Sequence, residues 1–344
     1  MSTTYPATPV KERKNGHNHN GTHKAKRPKP QFDEGMRSKY IWMDGEFIPY
    51  EQATVHVLTP TLHYGTGIFE GIRCYATPKG PAIFRLREHL KRFVDSARVA
   101  GIRDLPYDME QLYEAVHKVV QVNGFMGCYI RPLLYMVGPL GLNLDAWRPA
   151  VSIAVWDWGP FLGKDAAEQG VRMMVSSFTR HHPNVTMTKA KIVGNYANST
   201  MAKTIATRAG FDETVMLDPD GYVAECSGEN IFIVRDGTVY TPGKATILEG
   251  VTRDAIITLA RDMGYTVVEG QISRDQLYIA DEVFVCGTAA EVVPVVEIDY
   301  RMIGKGGKGP VTDALQKAFF ETVAGNGARS CEWLDYVDDS VLAV

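Results

Sequence analysis

The 344-residue sequence has no long uninterrupted apolar run, and no apolar core lies near its first residues. A helix that spans a membrane needs about 20 consecutive apolar residues, so neither a transmembrane segment nor a signal peptide is predicted. Excess charge is also absent, since the formal net charge is -3. A balance this close to neutral leaves no general electrostatic footprint for nucleic acid or an anionic membrane as a partner.

Cysteine is scarce as well, with five residues and no CxxC pair. An odd number of scattered cysteines predicts reduced thiols in a cytoplasmic protein, not a disulfide framework or a zinc site. Aliphatic residues are nearly missing from residues 11–31, where Ala25 is the only one. Such a segment cannot form a packed core, so residues 1–36 are predicted to be a disordered basic tail. Its histidines have no carboxylate or thiol cluster beside them, which disfavours a metal site.

The rest of the chain has an ordinary globular composition, because 45% of all residues are hydrophobic and 22% are charged. At this length two domains are predicted. Residues 157–164, DWGPFLGK, interrupt a strand-rich pattern with two glycines and a proline. We therefore predict a small domain over 37–157, an interdomain loop over 158–167 and a larger domain over 168–344.

Hydrophobic periodicity and turn residues predict the main elements. A meander of three short strands is expected around the Asp-Gly turns at 220–221 and 236–237. Helices are predicted over residues 86–100, 109–122, 195–208 and 312–324, with another that starts at 250–252.

Residues 186–196, TMTKAKIVGNY, contain two lysines two positions apart, Lys189 and Lys191. The residues before them alternate as in a strand, and residues two apart on a strand share a face. A lysine that meets an apolar interior has a lowered pKa and becomes a nucleophilic amine able to form a Schiff base with an aldehyde. The alternative is two solvated lysines at the end of a strand, because lysine is seldom fully buried.

Two further features favour anionic groups. The start of the helix at Gly250, Val251 and Thr252 offers free backbone N–H groups and the positive end of the helix dipole, although threonine is also an ordinary N-cap. Tyr129 and Arg131 share one face of a predicted strand, where a phenol beside a guanidinium can hold a carboxylate. The alternative there is an amphipathic edge strand, which the intervening proline would suit.

These signals together fit one ligand. Pyridoxal phosphate has an aldehyde for a lysine, a phosphate for a helix start, and a ring nitrogen that takes a carboxylate partner. Seven motifs between residue 39 and the C-terminus resemble, in their residues and in their order, those of the branched-chain amino acid aminotransferases of the class IV, fold-type IV pyridoxal phosphate family. The motifs are HYGTGIFEGIR at 63–73, REHLKR at 87–92, YIRP at 129–132, KIVGNY at 191–196, AECSGEN at 224–230, EGVTRDAI at 249–256 and CGTAAEVVPV at 286–295.

The resemblance implies a two-domain α/β (α+β) fold, with a small N-terminal domain, a larger C-terminal domain and the cofactor between them. It implies reversible amino transfer between L-leucine, L-isoleucine or L-valine and 2-oxoglutarate, which gives branched-chain 2-oxo acids and L-glutamate. A homodimer is the minimum assembly implied, and a larger assembly such as a hexamer is compatible with the resemblance. In it a neighbouring subunit would complete each site with its loop over residues 137–142.

The resemblance also implies roles for the cofactor-binding residues. Lys191 is the Schiff-base lysine and the catalytic acid and base, and Lys189 has no covalent role. Glu225 is the partner of the pyridine nitrogen, and Tyr196 bonds to the phenolic oxygen of the cofactor. The implied phosphate contacts are Arg92, Val251, Thr252 and Thr288.

Two carboxylate sites are implied for the substrates. Tyr129 and the backbone N–H groups of Ala289 and Thr288 hold the α-carboxylate. Arg131, with Tyr64, receives the distal carboxylate of glutamate.

The resemblance places the side-chain pocket at Phe69, Trp158 and Phe161, and Arg73 is also assigned to the substrate. The family often has tyrosine where this chain has Phe161. The missing hydroxyl weakens the expected hold on the dicarboxylate substrate.

Three alternative functions are compatible with parts of the sequence. A D-amino acid or (R)-amine aminotransferase of the same fold would use the same Lys191 and Glu225, and an aminodeoxychorismate lyase-like enzyme would also share the fold. An inert scaffold protein is the alternative from another class. The motifs YIRP and GTAAE favour the branched-chain function.

Overall fold

The computed structural model describes residues 38–159, 161–163 and 165–337. The predicted tail lies outside these residues. The helices of the described part are α1 (Pro60–Tyr64), α2 (Leu86–Val99), α3 (Met109–Asn123), α4 (Ala166–Gln169), α5 (Tyr196–Arg208), α6 (Val251–Asp262), α7 (Arg274–Tyr278), α8 (Pro310–Val323) and α9 (Ser330–Trp333). None of these helices is both long enough and apolar enough to cross a membrane.

The strands fall into two sheets, which with the helices confirm the mixed α/β fold class. The strands of the described part are β1 (Tyr40–Met43), β2 (Glu46–Pro49), β3 (Gly67–Phe69), β4 (Ile72–Thr77), β5 (Gly80–Phe84), β6 (Cys128–Val137), β7 (Arg148–Trp156), β8 (Val171–Val175), β9 (Glu213–Leu217), β10 (Val223–Cys226), β11 (Asn230–Arg235), β12 (Thr238–Pro242), β13 (Val267–Gly270), β14 (Glu282–Gly287), β15 (Glu291–Ile298), β16 (Arg301–Met302) and β17 (Leu334–Tyr336).

The first sheet has the strand order β17-β5-β4-β6-β7-β1-β2, and β3 also pairs with β6. The predicted helix with the apolar stripe is confirmed as α2, whose Leu86, Leu90 and Phe93 are fully buried in the core of this sheet. The next helix, α3, begins with a capping box between Asp108 and Gln111, an arrangement that satisfies two free N–H groups at a helix start.

Strand β6 is paired on both sides, so the edge-strand interpretation of Tyr129 and Arg131 is wrong. Its proline, Pro132, lies between the residues that pair with β4 and those that pair with β3. The neighbouring ladder is interrupted at this point, at Glu70 and Gly71. A proline without an N–H group is therefore tolerated in a central strand.

The second sheet has the order β10-β9-β8-β15-β14-β11-β12-β13, and β16 pairs with β15. The predicted meander is wrong, because β10 and β11 are not neighbours in this order. They belong to two separate hairpins, β9 with β10 and β11 with β12. Apolar clusters cover both faces of the sheet, and one of them contains the stacked rings of Phe232 and Phe284.

The chain passes from the first sheet to the second between β7 and β8, and β17 returns to the first sheet beside β5. The predicted interdomain loop over 158–167 falls in the first of these crossings. Its exact limits, and those of the two domains, stay a prediction.

A close backbone contact near α1 joins the first sheet to the segment before α5. Gly65 has a φ of 68°, and a Cβ atom there would lie 2.7 Å from the Cα atom of Gly194. The N–H group of Gly194 donates to the carbonyl of Gly65 at 3.0 Å, and Ile68 forms a bridge with Ile192. Glycine at both positions therefore allows the lysine segment to pack directly against the first sheet.

Candidate active site

Two adjoining cavities open where the two sheets meet, and both have Lys191, Tyr196 and Thr288 in their walls. The first has a volume of about 590 Å³ and the second about 1810 Å³. The predicted cofactor-binding residues all line the first cavity: Arg92, Lys191, Tyr196, Glu225, Val251, Thr252 and Thr288.

Lys191 is held by hydrogen bonds of its backbone and not by a strand. The predicted strand before it is wrong, because residues 183–190 consist of turns, bends and irregular backbone. The Lys191 N–H group donates to Oγ of the buried Ser96 in α2 at 3.0 Å. The Lys191 carbonyl accepts from the N–H group of Phe69 in β3 at 3.1 Å. Two elements of the first sheet's domain thus fix the backbone that carries this side chain.

The amine of Lys191 lies in a desolvated, electropositive place. Its Nζ is 2.7 Å from Oη of Tyr196, which begins α5 after one short 3₁₀ turn. Burial, and then the charge of Arg92, lower the pKa of Lys191 to about 8. Burial also raises the pKa of Tyr196, so this phenol keeps its proton. At pH 7 about a tenth of this amine is therefore neutral, far more than of an exposed lysine.

Lys189, unlike Lys191, lies at the surface and outside both cavities. Its side chain is 40% exposed and lies 3.7 Å from a carboxylate oxygen of Glu249. Its Nζ donates to the carbonyl groups of Lys244 and Ile247. It lines a separate cavity on the other side of the α6 start.

Glu225 is a buried carboxylate with partners at both oxygens. One oxygen lies 2.7 Å from a guanidinium nitrogen of Arg180. The other accepts from the N–H group of Leu248 at 3.0 Å and from the amide of Asn230 at 3.3 Å. Burial raises the pKa of Glu225, and Arg180 opposes this change. The result is a carboxylate of fixed orientation in the wall of the first cavity.

Gly250 makes room for this arrangement. A Cβ atom at this position would lie 2.1 Å from the side-chain oxygen of Asn230, whose amide bonds to Glu225. Gly250 is also the N-cap of α6 and contributes no side-chain hydrogen bond. The first N–H groups of α6, at Val251 and Thr252, are thus donors for an anion in the cavity.

Arg92 lies beside this helix start and is held by a buried ion pair. Its Nε and Nη2 lie 2.7 and 2.8 Å from the oxygens of Glu70. Nδ1 of His89 lies 2.9 Å from the same carboxylate. Burial disfavours the charged form of Glu70, but Arg92 and His89 outweigh it and lower the pKa of that carboxyl. The guanidinium is therefore oriented before any ligand arrives.

These residues fit pyridoxal phosphate. A single cavity holds a buried amine, a phenol beside it, a buried carboxylate, and a helix start next to an arginine. These are the partners that an aldehyde, a phenolic oxygen, a ring nitrogen and a phosphate require.

The second cavity contains the predicted substrate-binding residues Phe69, Tyr129, Arg131, Trp158, Phe161 and Ala289. Nη2 of Arg131 lies 3.3 Å from Oη of Tyr129, and its guanidinium is 4.8 Å from the ring centroid of Phe69. Within the described residues, its buried Nε has no hydrogen-bond partner. A buried donor of this kind is available to a carboxylate. Gly71 leaves the space for the Tyr129 hydroxyl, because a Cβ atom there would overlap it.

The structure does not place Tyr64 in either cavity of its own chain. Tyr64 is 38% exposed, and its ring stacks on Trp147 with ring centroids 5.8 Å apart. The α1 helix turns it toward the loop after β6, where Nε1 of Trp147 donates to the carbonyl of Pro139 at 2.7 Å. One chain does not bring Tyr64 and Arg131 together, and their joint role stays a prediction.

Arg73 is also absent from the walls of these two cavities. It alternates with the inward residues of β4 and reaches the segment after β7. Its Nη2 donates to the carbonyl of Trp158 at 2.6 Å, and its Nη1 lies 3.1 Å from an oxygen of Glu291. It thus contacts a residue of the cavity wall from behind, and the predicted direct substrate contact is wrong.

Sequence reasoning missed several polar residues of the site. Glu70 and His89 lie inside the quoted motifs, which was a usable signal. No sequence signal pointed to Arg180. Its neighbours in sequence do not indicate that Glu225, more than 40 positions away, is its partner. The structure also adds Lys203 and Glu229 to the wall of the second cavity.

Comparisons with known proteins agree with this geometry. The family described as Amino-transferase class IV matches residues 67–298. The branched-chain-amino-acid aminotransferase of Pseudomonas aeruginosa is 49% identical over 298 residues, which cover 86% of this chain and 97% of that protein. The chain therefore belongs to the class IV aminotransferases.

Solved structures narrow this class to the branched-chain-amino-acid aminotransferases. The crystal structure of the Escherichia coli enzyme has 44% identity and a TM-score of 0.85, and the match covers 88% of this chain and 100% of that one. The Thermobaculum terrenum enzyme in its PLP-form has 32% identity and a TM-score of 0.81, and the match covers 88% of this chain and 99% of that one.

Proposed function

We propose that this protein transfers amino groups between L-leucine, L-isoleucine or L-valine and 2-oxoglutarate, with pyridoxal phosphate as its cofactor. One observation carries the proposal. The buried amine of Lys191 lies in the wall shared by a polar cavity that contains Glu225 and a larger cavity with aromatic walls that contains Arg131. The first cavity suits the cofactor, and the second suits a substrate side chain.

When bound, pyridoxal phosphate supplies an aldehyde that links to an amino group and a ring that draws electrons from the substrate Cα. Lys191 takes the proton from the substrate Cα as general base. As general acid it then delivers the proton to the carbon of the cofactor's aldehyde group. Its lowered pKa, about 8, suits both directions of transfer near neutral pH. Tyr196 holds the amine in place through its 2.7 Å contact.

Glu225 keeps the ring nitrogen protonated in this proposal. A fixed carboxylate beside that nitrogen stabilises its positive charge, and Arg180 and Asn230 set its orientation. At the opposite end Arg92 and the start of α6 hold the phosphate, together with Thr288.

The second cavity accounts for two kinds of substrate. Trp158, Phe161 and Phe69 offer an apolar wall to a branched side chain. Arg131 is reached only by the longer, charged side chain of glutamate, which finds the free Nε edge. Tyr129 and the N–H group of Ala289 hold the α-carboxylate common to both substrates.

The absorbance spectrum of the purified protein tests this function. We expect a visible band from the bound cofactor that decreases when L-leucine is added and returns when 2-oxoglutarate follows. D-Alanine and (R)-1-phenylethylamine serve as matched additions, and we expect them to leave the band nearly unchanged.

Other results would replace the proposal. A response to D-alanine or to the amine alone would assign the D-amino acid or (R)-amine activity. Release of pyruvate from aminodeoxychorismate without an amino acceptor would assign the lyase activity. Absence of any visible band would favour an inert protein.

We also propose that the protein works in the cytoplasm as a homodimer or larger assembly. Leu140 and Leu142, in the loop after β6, are exposed. Tyr64 lies on the same face through its contact with Trp147. An exposed apolar patch of this kind favours a subunit interface. In such an assembly this face would close the site of a neighbouring subunit.

A further inference from the structure

The segment between β7 and β8 carries two of the aromatic residues that wall the second cavity. Trp158 and Phe161 pack edge to face, with ring centroids 5.4 Å apart. Trp158 also packs edge to face on Tyr129, at 4.6 Å. Residues in a connecting segment hold a ligand well only if other parts of the structure fix them. The contacts that fix these two rings therefore bear on substrate binding.

One of these contacts is made by Lys203 of α5. Its Nζ lies 4.5 Å from the ring centroid of Phe161, within the distance of a cation–π interaction. The same Nζ is 2.6 Å from an oxygen of Glu213 in β9, a carboxylate that is fully buried. The ion pair with Glu213 therefore fixes the ammonium of Lys203 to the second sheet. The ammonium in turn fixes the position of the Phe161 ring.

The other end of the segment is held in the same way. Arg73 donates to the carbonyl of Trp158 at 2.6 Å and pairs with Glu291 of β15. Two cations therefore contact the segment, each anchored to a carboxylate of the second sheet. The ammonium of Lys203 contacts the face of the Phe161 ring, a contact that does not need a ring hydroxyl.

We propose that Lys203 is a positioning residue that holds Phe161, and with it the apolar wall, in the conformation that binds substrate. The inference rests on the proposed function. Lys203 also lines the second cavity, but in this proposal it acts through its contact with the Phe161 ring. Its loss should therefore weaken the binding of every substrate and leave the chemical step at Lys191 nearly unchanged.

Three variants test this role. Phe161→Leu removes the ring and leaves the Lys203–Glu213 pair intact. Lys203→Met combined with Glu213→Gln removes the cation without leaving its ion-pair partner Glu213 as an unpaired buried carboxylate. Phe161→Tyr keeps the ring face and is the matched control.

We expect the first two variants to raise KM for L-leucine and for 2-oxoglutarate by about three- to tenfold each, with kcat within about twofold of wild type. Combining them should add little, since both remove one interaction. The Phe161→Tyr variant keeps the ring face, so it should keep the wild-type KM for L-leucine, and its added hydroxyl should lower KM for 2-oxoglutarate.

Hydrogen–deuterium exchange supplies a readout that does not depend on activity. The peptide that contains Trp158 and Phe161 should exchange faster in the first two variants than in wild type and in Phe161→Tyr. If wild type does not transaminate L-leucine, the proposed function fails, and this exchange result still decides the role of Lys203.

Two results would overturn the inference. Unchanged KM values and unchanged exchange in the Lys203→Met, Glu213→Gln protein would mean that the ring is fixed without the cation. A rise of KM confined to 2-oxoglutarate would mean that Lys203 binds the distal carboxylate itself.

Discussion

Replacement of Lys191 by alanine is expected to abolish transamination of L-leucine, with a fall in kcat of about a thousandfold or more, because proton transfer by a positioned group contributes about 10²- to 10⁴-fold. No other lysine side chain lines both cavities and contacts Tyr196 among the residues described. The steady-state rate of glutamate formation from L-leucine and 2-oxoglutarate measures this loss.

Lys189→Ala is the matched control for this prediction. The two lysines are separated by one residue, but the ammonium of Lys189 is bound to carbonyl groups on the far side of the α6 start. Its removal should leave most of the activity. An inactive Lys189→Ala protein beside an active Lys191→Ala protein would show that Lys189 is the catalytic lysine.

Glu225→Gln is expected to lower kcat by about 10²- to 10³-fold, the usual effect of removing one group that stabilises charge in a transition state. Glutamine keeps the shape and can still accept from the N–H group of Leu248. It cannot keep the ring nitrogen protonated. Stopped-flow measurement of the spectral change with L-leucine would separate this chemical effect from weaker substrate binding.

The substitution also leaves Arg180 without its buried partner, which costs about 3–5 kcal/mol in comparable ion pairs. The double variant Glu225→Gln, Arg180→Met removes both charges and controls for this loss of stability. We expect it to regain thermal stability and to stay as slow as the single variant. Wild-type kcat in either protein would exclude Glu225 as the partner of the ring nitrogen.

The elements near the site could be predicted from local sequence because local signals determine them. The α2 helix has a continuous apolar stripe, and α6 begins at the Gly-Val-Thr sequence of residues 250–252. The order of strands could not be predicted in the same way. Two hairpins with similar Asp-Gly turns suggested a meander, but β8, β15 and β14 lie between them in the sheet.

Local sequence also could not show which of the two lysines is the reactive one. Spacing alone could not distinguish Lys191 from Lys189, since neither lies in a strand. The distinction comes from contacts with Ser96 and Phe69, residues that are distant in sequence. Arg180 is identified as a site residue only by the fold, which places it next to Glu225. Tyr64 shows the converse, because a residue of a quoted motif lies outside both cavities of its own chain.

Chemical labelling of the lysine tests the central claim most directly. Cofactor-free protein is incubated with pyridoxal phosphate from about pH 6 to about pH 10, a range that brackets the lowered pKa and approaches that of an ordinary lysine. It is then reduced with borohydride, digested and analysed by mass spectrometry. We predict a single phosphopyridoxyl group on Lys191. Because only the neutral amine attacks an aldehyde, its labelling rate should rise with a midpoint near pH 8. A label on Lys189, or labelling that still rises steeply at the upper limit of this range, would contradict the account.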